Sequence, residues 1–286
     1  IVSALARTSV GVTDFQSFIQ TDAPINPGNS GGALVTMDGR LLGVNTAIYT
    51  RSGGSVGIGF AIPSNMVQQV VDAALSDGRI VRPWAGMELQ KVSQSLAQTL
   101  GLAKPLGALI VKLHPNSPLR KAGLKSGDVV RTFNGKEILE PENFRYRMAV
   151  AGVGARAEIG YLRQGKGNTV NVKLTAPPDV PPRNETTLTG EHIFNTVKVS
   201  NLNPAVVDEM GQAFKLGLEE KGVIILTIDK RARGARVGLR PGDIVLSING
   251  TEIKSVAELV ALLNKPPAQW GLEIRRAGRI IRTSIR

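Results

Sequence analysis

A serine among glycines is the residue near the start of the chain whose surroundings suit chemistry best. Ser30 lies at the centre of the string Gly28-Asn29-Ser30-Gly31-Gly32. Glycine accepts backbone angles that other residues avoid, so a reacting carbonyl can come close to the main chain there. The amides of Gly28 and Ser30 can then turn toward one developing oxyanion, a stabilisation of about 3–4 kcal/mol per donor. The alternative is a solvated turn between two strands, and the five residues alone leave both interpretations open.

A longer string around this serine carries a family resemblance. Residues 20–34 read Gln-Thr-Asp-Ala-Pro-Ile-Asn-Pro-Gly-Asn-Ser-Gly-Gly-Ala-Leu, and they are followed by Gly-Val-Asn-Thr-Ala-Ile at 43–48 and Gly-Ile-Gly-Phe-Ala-Ile-Pro at 57–63. These segments closely resemble the active-serine region of the HtrA (DegP-like) proteases, which have a trypsin-like fold. The resemblance continues through two PDZ-like modules and reaches the end of the chain.

The resemblance implies roles for individual residues around the serine. Ser30 is then the nucleophile, and Gly28 and Asn29 belong to the loop that binds the oxyanion. The segment Thr46, Ala47 and Ile48 corresponds to the strand that pairs with the substrate backbone.

Two isoleucines match positions that line the primary specificity pocket in the family. With Ile25 and Ile48 there, the pocket favours a small aliphatic side chain before the scissile bond and excludes a charged one. The alternative for both residues is plain core packing, which is where most isoleucines are found.

The resemblance also implies chemistry that this sequence does not supply. A serine hydroxyl is a poor nucleophile until a base takes its proton. In trypsin-like enzymes that base is a histidine held by an aspartate, and both precede the serine. The two histidines, His114 and His192, lie downstream of Ser30, and we expect His114 in a surface loop. We therefore expect these 286 residues to be part of a longer enzyme and to be inactive alone.

A repeat organises the rest of the chain. Residues 123–138 and 238–253 are identical at nine of sixteen positions, with a constant offset of 115. In each copy Gly-Asp leads into an apolar strand and Asn-Gly then predicts a tight hairpin turn. A helix is predicted after each copy, over 141–150 and 255–263. The repeat resembles the circularly permuted PDZ domains of the same protease family.

PDZ domains add an extended peptide to a sheet as an extra strand and hold its terminal carboxylate on a loop of amides. The resemblance assigns this loop to Leu106, Gly107, Ala108 and Leu109 in the first copy, and to Lys221, Gly222, Val223 and Ile224 in the second. Each loop precedes an apolar strand. The alternative for each is an ordinary strand that begins at a glycine.

These signals divide the chain into four parts. We expect the C-terminal part of a trypsin-like domain at 1–82, a first PDZ domain at 83–176, a Pro-rich linker at 177–189 and a second PDZ domain at 190–286. Four prolines within residues 176–187 predict a semi-rigid, extended connector, with packing on either module as the alternative. The predicted fold class is mainly β with some α: a partial trypsin-like second β-barrel followed by two circularly permuted PDZ-like α/β modules.

The composition is that of a globular protein and excludes some kinds of site. Hydrophobic residues make up 42% of the chain and charged residues 20%, an ordinary balance. There is no cysteine, so neither a disulfide nor a thiolate metal site is available. Two isolated histidines offer no metal-ligand spacing, and we expect no metal and no cofactor. No run of eighteen apolar residues is present, which predicts no membrane span.

The net charge of +12 is concentrated in the later modules. Residues 1–82 hold five basic and five acidic residues, residues 83–189 hold fifteen and eight, and residues 190–286 hold fifteen and ten. A basic surface attracts anionic partners. No basic run interleaved with aromatic residues occurs, so we interpret the excess as a solvated surface and expect no nucleic-acid partner.

Two functions of different classes remain after this reading. The resemblance implies a periplasmic serine endopeptidase of protein quality control, which degrades unfolded proteins, binds peptide C-termini through PDZ modules and forms a trimer-based homo-oligomer. The alternative is a tandem PDZ peptide-binding or chaperone-like protein without proteolysis. The serine segment discriminates between them, because a binding protein needs neither the oxyanion glycines nor a substrate-pairing strand.

Overall fold

The computed structural model describes residues 1–7, 18–48, 56–75, 81–267 and 269–285. The chain divides into two compact units, Ile1–Ala176 and Pro177–Arg286. The sequence also predicts a Gly-rich loop at 51–54 and a helix end at Asp77-Gly78, and both lie outside the described residues.

The first unit begins with an antiparallel sheet that carries the serine segment. Its strands, in the order β1-β2-β5-β4-β3, are β1 (Val2–Arg7), β2 (Phe18–Thr21), β3 (Ala33–Val35), β4 (Leu41–Ile48) and β5 (Gly59–Pro63). The dipeptide Asp38-Gly39 predicts a tight hairpin turn. The hairpin is present between β3 and β4, and Gly39 has the positive φ of +80° that such a turn uses. The helix α1 (Ser64–Leu75) follows β5 directly and packs on β4 and β5.

A second sheet completes the first unit. Its elements are β6 (Met87–Lys91), α2 (Gln94–Thr99), β7 (Ala108–Leu113), α3 (Pro118–Lys121), β8 (Val129–Phe133), β9 (Lys136–Glu137), α4 (Pro141–Ala151), β10 (Arg156–Arg163) and β11 (Lys166–Lys173). The strand order is β11-β10-β8-β7-β6, and β9 pairs with β8. Buried apolar side chains of the strands and helices, including Ile110, Leu119, Phe133, Phe144 and Ile159, form its core. In this sheet β6 is an edge strand.

The two parts of the first unit touch through helices. The Gln69 side-chain amide on α1 donates to the carbonyls of Ala149 and Val150 on α4, the latter at 3.3 Å. Tyr146 of α4 hydrogen-bonds Asn65 of α1, and burial raises the pKa of this tyrosine. The helix of the PDZ-like sheet therefore contacts the helix that follows the serine segment.

The second unit repeats the second sheet with one addition. Its elements are β12 (Thr186–Thr187), β13 (Val197–Asn201), α5 (Pro204–Phe214), β14 (Val223–Ile228), α6 (Arg233–Arg236), β15 (Ile244–Ile248), β16 (Thr251–Glu252), α7 (Val256–Leu263), β17 (Trp270–Arg276) and β18 (Arg279–Ile285). The order is β12-β13-β14-β15-β17-β18, and β16 pairs with β15. Strands β13 to β18 correspond to β6 to β11, whereas β12 has no counterpart in the described part of the first sheet.

The Gly-Asp signal of the repeat anchors an ion pair in each copy. Asp128 is 1% exposed, and Arg163 donates to both of its carboxylate oxygens at 2.7 Å and to the Gly123 carbonyl at 2.9 Å. Asp243 is fully buried and binds Arg276 in the same way, at 2.6 and 2.7 Å. Donating these hydrogen bonds to the carboxylates raises the pKa of both arginines. Each pair ties the turn before β8 or β15 to the end of β10 or β17.

The Pro-rich segment at 177–189 is not a free connector in this structure. The Asn201 amide donates to the Arg183 carbonyl at 2.7 Å, and the Ala205 amide donates to the Pro178 carbonyl at 3.3 Å. The Arg183 guanidinium donates to both carboxylate oxygens of Glu209 on α5, each at 3.0 Å. The segment therefore packs on the second unit, which is the alternative that its sequence left open.

The two histidines are both packed against the protein. His114, expected in a surface loop, is half-buried: its ring lies edge-on to Trp84 with centroids 5.2 Å apart, and its Nδ1 accepts from the Asn116 amide. His192 is 5% exposed, and its Nδ1 has no hydrogen-bond partner among the described residues. Desolvation lowers the pKa of His192, so its neutral form is favoured.

We expect Arg163→Gln to lower the free energy of unfolding by about 1–3 kcal/mol, because it leaves the buried Asp128 carboxylate without its charged partner. Urea unfolding of the whole chain, followed by circular dichroism, measures the change. Arg156→Gln is the matched control: Arg156 begins the same strand, is exposed and has no ion pair with any described residue. Surface changes of this kind stay within about 0.5 kcal/mol, and equal losses in the two variants would contradict the anchoring role.

Candidate functional site

Hydrogen bonds to β4 hold the loop that carries Ser30. The Gly31 amide donates to the Asn45 carbonyl, and the Asn45 amide donates to the Gly32 carbonyl, both at 2.9 Å. The Gly32 amide donates to the Asn29 carbonyl at 3.0 Å and closes a turn around Ser30. A Cβ on Gly32 would lie 3.0 Å from that carbonyl oxygen, so the turn is tight against its own backbone. The loop is thereby fixed beside the sheet.

The glycines of this loop adopt angles that other residues disfavour. Gly28 has φ +104° and Gly31 has φ +85°, in the left-handed half of conformational space where side chains are strained. The amides of Gly28 and Ser30 donate to no acceptor within the described ranges, and both residues are exposed. Two unpaired donors on one loop next to a hydroxyl can bind a developing oxyanion.

The Ser30 hydroxyl has one weak partner in the described structure. Its Oγ lies 3.5 Å from the Thr46 carbonyl on β4, and the residue is exposed. Within the described ranges, neither an imidazole nor a carboxylate is a hydrogen-bond partner of this hydroxyl. The part of the structure described thus presents the nucleophile candidate and the donors of an oxyanion site, without a base.

The end of β4 has an open edge beside the serine. Strand β3 pairs with β4 only as far as Val44, which lies opposite Ala33. Strand β5 covers the other edge, with Ala47 opposite Phe60 and Ile48 opposite Gly59. Among the described residues, the backbone of 46–48 therefore has a strand neighbour on one side alone. An extended chain can add on the other side, where Ser30 lies.

One predicted pocket residue is buried against the strand that follows. Ile25 is 3% exposed, and a Cβ on Gly59 would lie 2.7 Å from its Cδ1. Because Gly59 is opposite Ile48 in the sheet, the side chain of Ile25 covers the backbone next to Ile48. The structure describes the backbone of Ala47 and Ile48 and not their side chains, so the pocket role of Ile48 stays a prediction.

The loop assigned to peptide binding in the first PDZ-like sheet needs correction. The loop is Leu106, Gly107, Ala108 and Leu109, and its last two residues lie in β7, which pairs with β6 on one edge and β8 on the other. The Gly107 amide donates to the Leu139 carbonyl at 3.0 Å. A peptide cannot add as a strand where both edges are already paired.

The loop assigned in the second sheet, Lys221, Gly222, Val223 and Ile224, fails for the same reason. Its last two residues lie in β14, between β13 and β15, and both side chains are fully buried. The Gly222 carbonyl accepts from the Leu202 amide at 2.8 Å. Strand β14 is an interior strand with no edge for a peptide.

In the described part of the first PDZ-like sheet the two edge strands are β11 and β6, and β6 is one strand earlier in sequence than β7. Helix α4 packs against β6 and β7. The loop before β6 contains Ala85 and Gly86, whose amides donate to no described acceptor. Gly86 has φ +58°, and a Cβ on it would lie 2.7 Å from the buried Trp84 ring. The sequence signal for this loop is an aromatic residue followed two positions later by glycine. It lies outside the repeated residues 123–138, so the repeat did not indicate it.

The described residues lack both a metal-binding cluster and a membrane-spanning helix. Within the described ranges, no group of three or more histidine, cysteine, aspartate or glutamate residues could hold a metal ion. Among the helices of the described part of the chain, none has both the length and the apolar character needed to cross a bilayer.

Three segments of the chain match known families. Residues 2–71 match the family described as Trypsin. Residues 83–174 and 224–276 each match a family described as PDZ domain.

Comparison with known proteins extends over nearly the whole chain. The chain is 36% identical over 276 residues to periplasmic serine endoprotease DegP of Salmonella typhimurium, covering 96% of this chain and 54% of that protein. It is 34% identical over 281 residues to periplasmic serine endoprotease DegP of Escherichia coli K12, covering 98% and 56%. A solved structure titled HtrA-type protease AlgW with decapeptide is 38% identical, over 64% of this chain and 55% of that one, with a TM-score of 0.45 that is too low to carry an argument about fold.

The chain spans about half the length of the curated relatives it matches. Across that span the trypsin-like match lies first and the two PDZ matches follow it, in the order that the motifs predict. Nearly the whole chain is thus similar to HtrA (DegP-like) proteases, and it comprises a trypsin-like segment followed by two PDZ domains.

Proposed function

We propose that the protein containing this chain is a serine endopeptidase with Ser30 as its nucleophile. The observation that supports this proposal is the exposed Ser30 hydroxyl on a loop with two unpaired amides, beside an open strand edge. The relatives are named periplasmic serine endoproteases, and we place the protein in the bacterial periplasm. Unfolded proteins are its proposed substrates, and we infer a homo-oligomer built on trimers from the family resemblance.

In the proposed mechanism each part of the site has a separate task. A substrate backbone adds to the free edge of 46–48, which brings its scissile carbonyl to Ser30. The Ser30 oxygen attacks that carbonyl carbon, and the negative charge that develops on the carbonyl oxygen meets the amides of Gly28 and Ser30. Asn29 lies between those two amides and shapes the loop. A base must accept the hydroxyl proton, and in the trypsin-type arrangement it is a histidine that precedes the serine in sequence.

The pocket next to this strand limits the side chain that precedes the cut. Ile25 fills the space over Gly59, and Ile48 is the strand neighbour of Gly59. Apolar, branched walls offer no partner to a charged side chain, which loses hydration on entry. We therefore propose that the enzyme cleaves after valine, isoleucine or alanine.

We further propose that the first PDZ domain binds peptide C-termini at the β6 edge. An extended peptide gains backbone hydrogen bonds to β6, each worth about 0.5–1.5 kcal/mol net. Its terminal carboxylate meets the unpaired amides of Ala85 and Gly86, and α4 flanks the groove. This site replaces the Leu106–Leu109 assignment, because β6 has the open edge that β7 does not.

Ser30→Ala in the full-length protein is expected to abolish covalent labelling by a fluorophosphonate, since the variant has no oxygen to be phosphonylated. Gel fluorescence of the labelled protein measures this. Ser55→Ala on the same chain serves as a serine control that keeps full labelling. Labelling of Ser30→Ala at the wild-type level would contradict the assignment. A full-length protein that takes no label at all would instead favour the tandem PDZ binding function.

Gly59→Ala in the full-length enzyme is expected to reduce kcat/KM by about tenfold for a substrate with isoleucine before the cut, and by less for one with alanine. The added methyl group takes space from the pocket next to Ile25, and a change of that size is worth about 1–3 kcal/mol. Steady-state kinetics on a matched pair of peptides measure the two ratios. Gly167→Ala is the control, because the space around Gly167 is open. Equal losses on both peptides would argue against a pocket at this place.

A peptide that ends in an apolar residue with a free carboxylate is expected to bind the whole chain about tenfold more tightly than its C-terminal amide. Hydrogen bonds to a charged group are worth about 1.5–3 kcal/mol, which supports at least that ratio. Two-dimensional NMR of the chain locates the site: the amides of 85–91 are expected to shift. Shifts centred on 106–109, or equal affinity for the two peptides, would contradict carboxylate capture at β6.

A further inference from the structure

The second PDZ domain carries a strand on the edge that no described strand pairs with in the first. β13 corresponds to β6: each pairs with the long strand that follows and is preceded by a buried aromatic residue, Phe194 or Trp84. Two positions after that aromatic, Thr196 and Gly86 have similar left-handed backbones, with φ of +64° and +58°. The difference lies beyond the strand, because β12 pairs with the outer edge of β13.

The added strand continues on both sides of β12 as a run of antiparallel backbone contacts. Thr186 lies opposite Val199, and Thr187 lies opposite Lys198. The Leu188 amide donates to the Val197 carbonyl at 2.8 Å. With the bond from Asn201 to the Arg183 carbonyl at 2.7 Å, the contacts extend along the whole length of β13.

Leu188 is placed as the last residue of a bound peptide would be. Its carbonyl accepts from the Thr196 amide at 2.8 Å, whereas the corresponding Gly86 amide of the first domain has no described acceptor. Its side chain is 3% exposed and belongs to the same buried cluster as Leu259 and Leu263 of α7. In strand-addition sites a loop amide holds the end of the peptide and a pocket holds its last apolar side chain.

Side chains fix the other end of this segment. The Asn201 side-chain amide donates to the Pro182 carbonyl at 2.7 Å, and its Oδ1 accepts from the Val256 amide at the start of α7, also at 2.7 Å. The Arg183 guanidinium binds Glu209 through two hydrogen bonds of 3.0 Å. Glu185 forms an ion pair with Lys198 of β13 at 2.6 Å. The segment is therefore held by backbone, polar and apolar contacts together.

We propose that residues 182–188 are an intrachain ligand that occupies the strand-addition edge of the second PDZ domain. An external peptide then adds to β13 only by displacing this segment. The covalent tether keeps the segment at an effective concentration of the order of millimolar, so a free peptide at micromolar concentration does not compete. The proposal goes beyond the peptide binding proposed for the first domain, and each domain is observed separately in the test.

The test uses the whole chain and the peptide Arg-Asn-Glu-Thr-Thr-Leu with a free carboxylate, followed by NMR of the backbone amides. The amides of 196–201 are expected not to respond in the wild-type chain. Leu188→Ser removes the buried apolar anchor of the segment. In this variant the amides of 196–201 are expected to shift, and the peptide is expected to bind at least tenfold more tightly than it binds the second domain of the wild type. Burial of a leucine side chain supports a ratio of this size. Thr187→Ser is the control, because Thr187 is an exposed residue of the same strand, and it is expected to behave as the wild type.

A second variant keeps the test decisive if Leu188→Ser fails to fold, which a thermal melt detects. Arg183→Ala retains Leu188 and removes the pairing with Glu209. In this variant the peptide is also expected to shift the amides of 196–201. Equal peptide-induced shifts at 196–201 in wild type and variants would overturn the proposal, and so would no shift in any of them. The amides of 85–91 in the same spectra report on the first domain, so failure there is distinguished from failure here.

Discussion

A backbone amide or carbonyl at a sheet edge finds its partner in water, in its own chain or in another chain. The candidate sites of this protein lie at sheet edges whose backbone groups can pair with another segment of the same chain or with another chain. Among the described residues, the backbone of 46–48 in β4 has β5 as a neighbour on one side and no strand on the other, where the exposed Ser30 lies. In the first PDZ domain β6 is an edge with α4 next to it. In the second domain the same edge is paired with β12.

The two PDZ domains show how similar sequences reach different states at that edge. Both keep the buried aspartate and its arginine, Asp128 with Arg163 and Asp243 with Arg276. In each pair the aspartate carboxylate is buried, and two hydrogen bonds from the arginine satisfy its charge. A buried carboxylate without such a partner would be strongly destabilising. These anchors hold the interior of each sheet in the same arrangement. The domains differ outside the repeated residues. In the second domain the segment before β13 pairs with β13 as the strand β12.

The sequence predicted those parts of the candidate site that are formed by residues close together in the chain. The string around Ser30 specified a glycine-framed loop, and Gly28 and Gly31 adopt the left-handed angles that only glycine accepts readily. The pairing of β4 with β5 places Gly59 opposite Ile48. This register cannot be predicted from the sequence of either strand by itself. The PDZ loops were misassigned because an X-Gly-apolar pattern occurs before interior and edge strands alike. Only the pairing partners of β7 and β14 distinguish the two cases.

The sequence by itself indicated the likeness to HtrA proteases, the order of a trypsin-like segment and two PDZ domains, the serine loop and the repeated Gly-Asp and Asn-Gly turns. Each of these depends on residues close together in the chain, where backbone preference and turn chemistry act directly. The tertiary structure decided which strand edges are open, which arginine partners each buried aspartate, and that the Pro-rich segment packs on the second domain. Those outcomes arise from contacts between residues far apart in sequence. A run of prolines fixes an extended backbone, but it does not specify the strand to which that backbone adds.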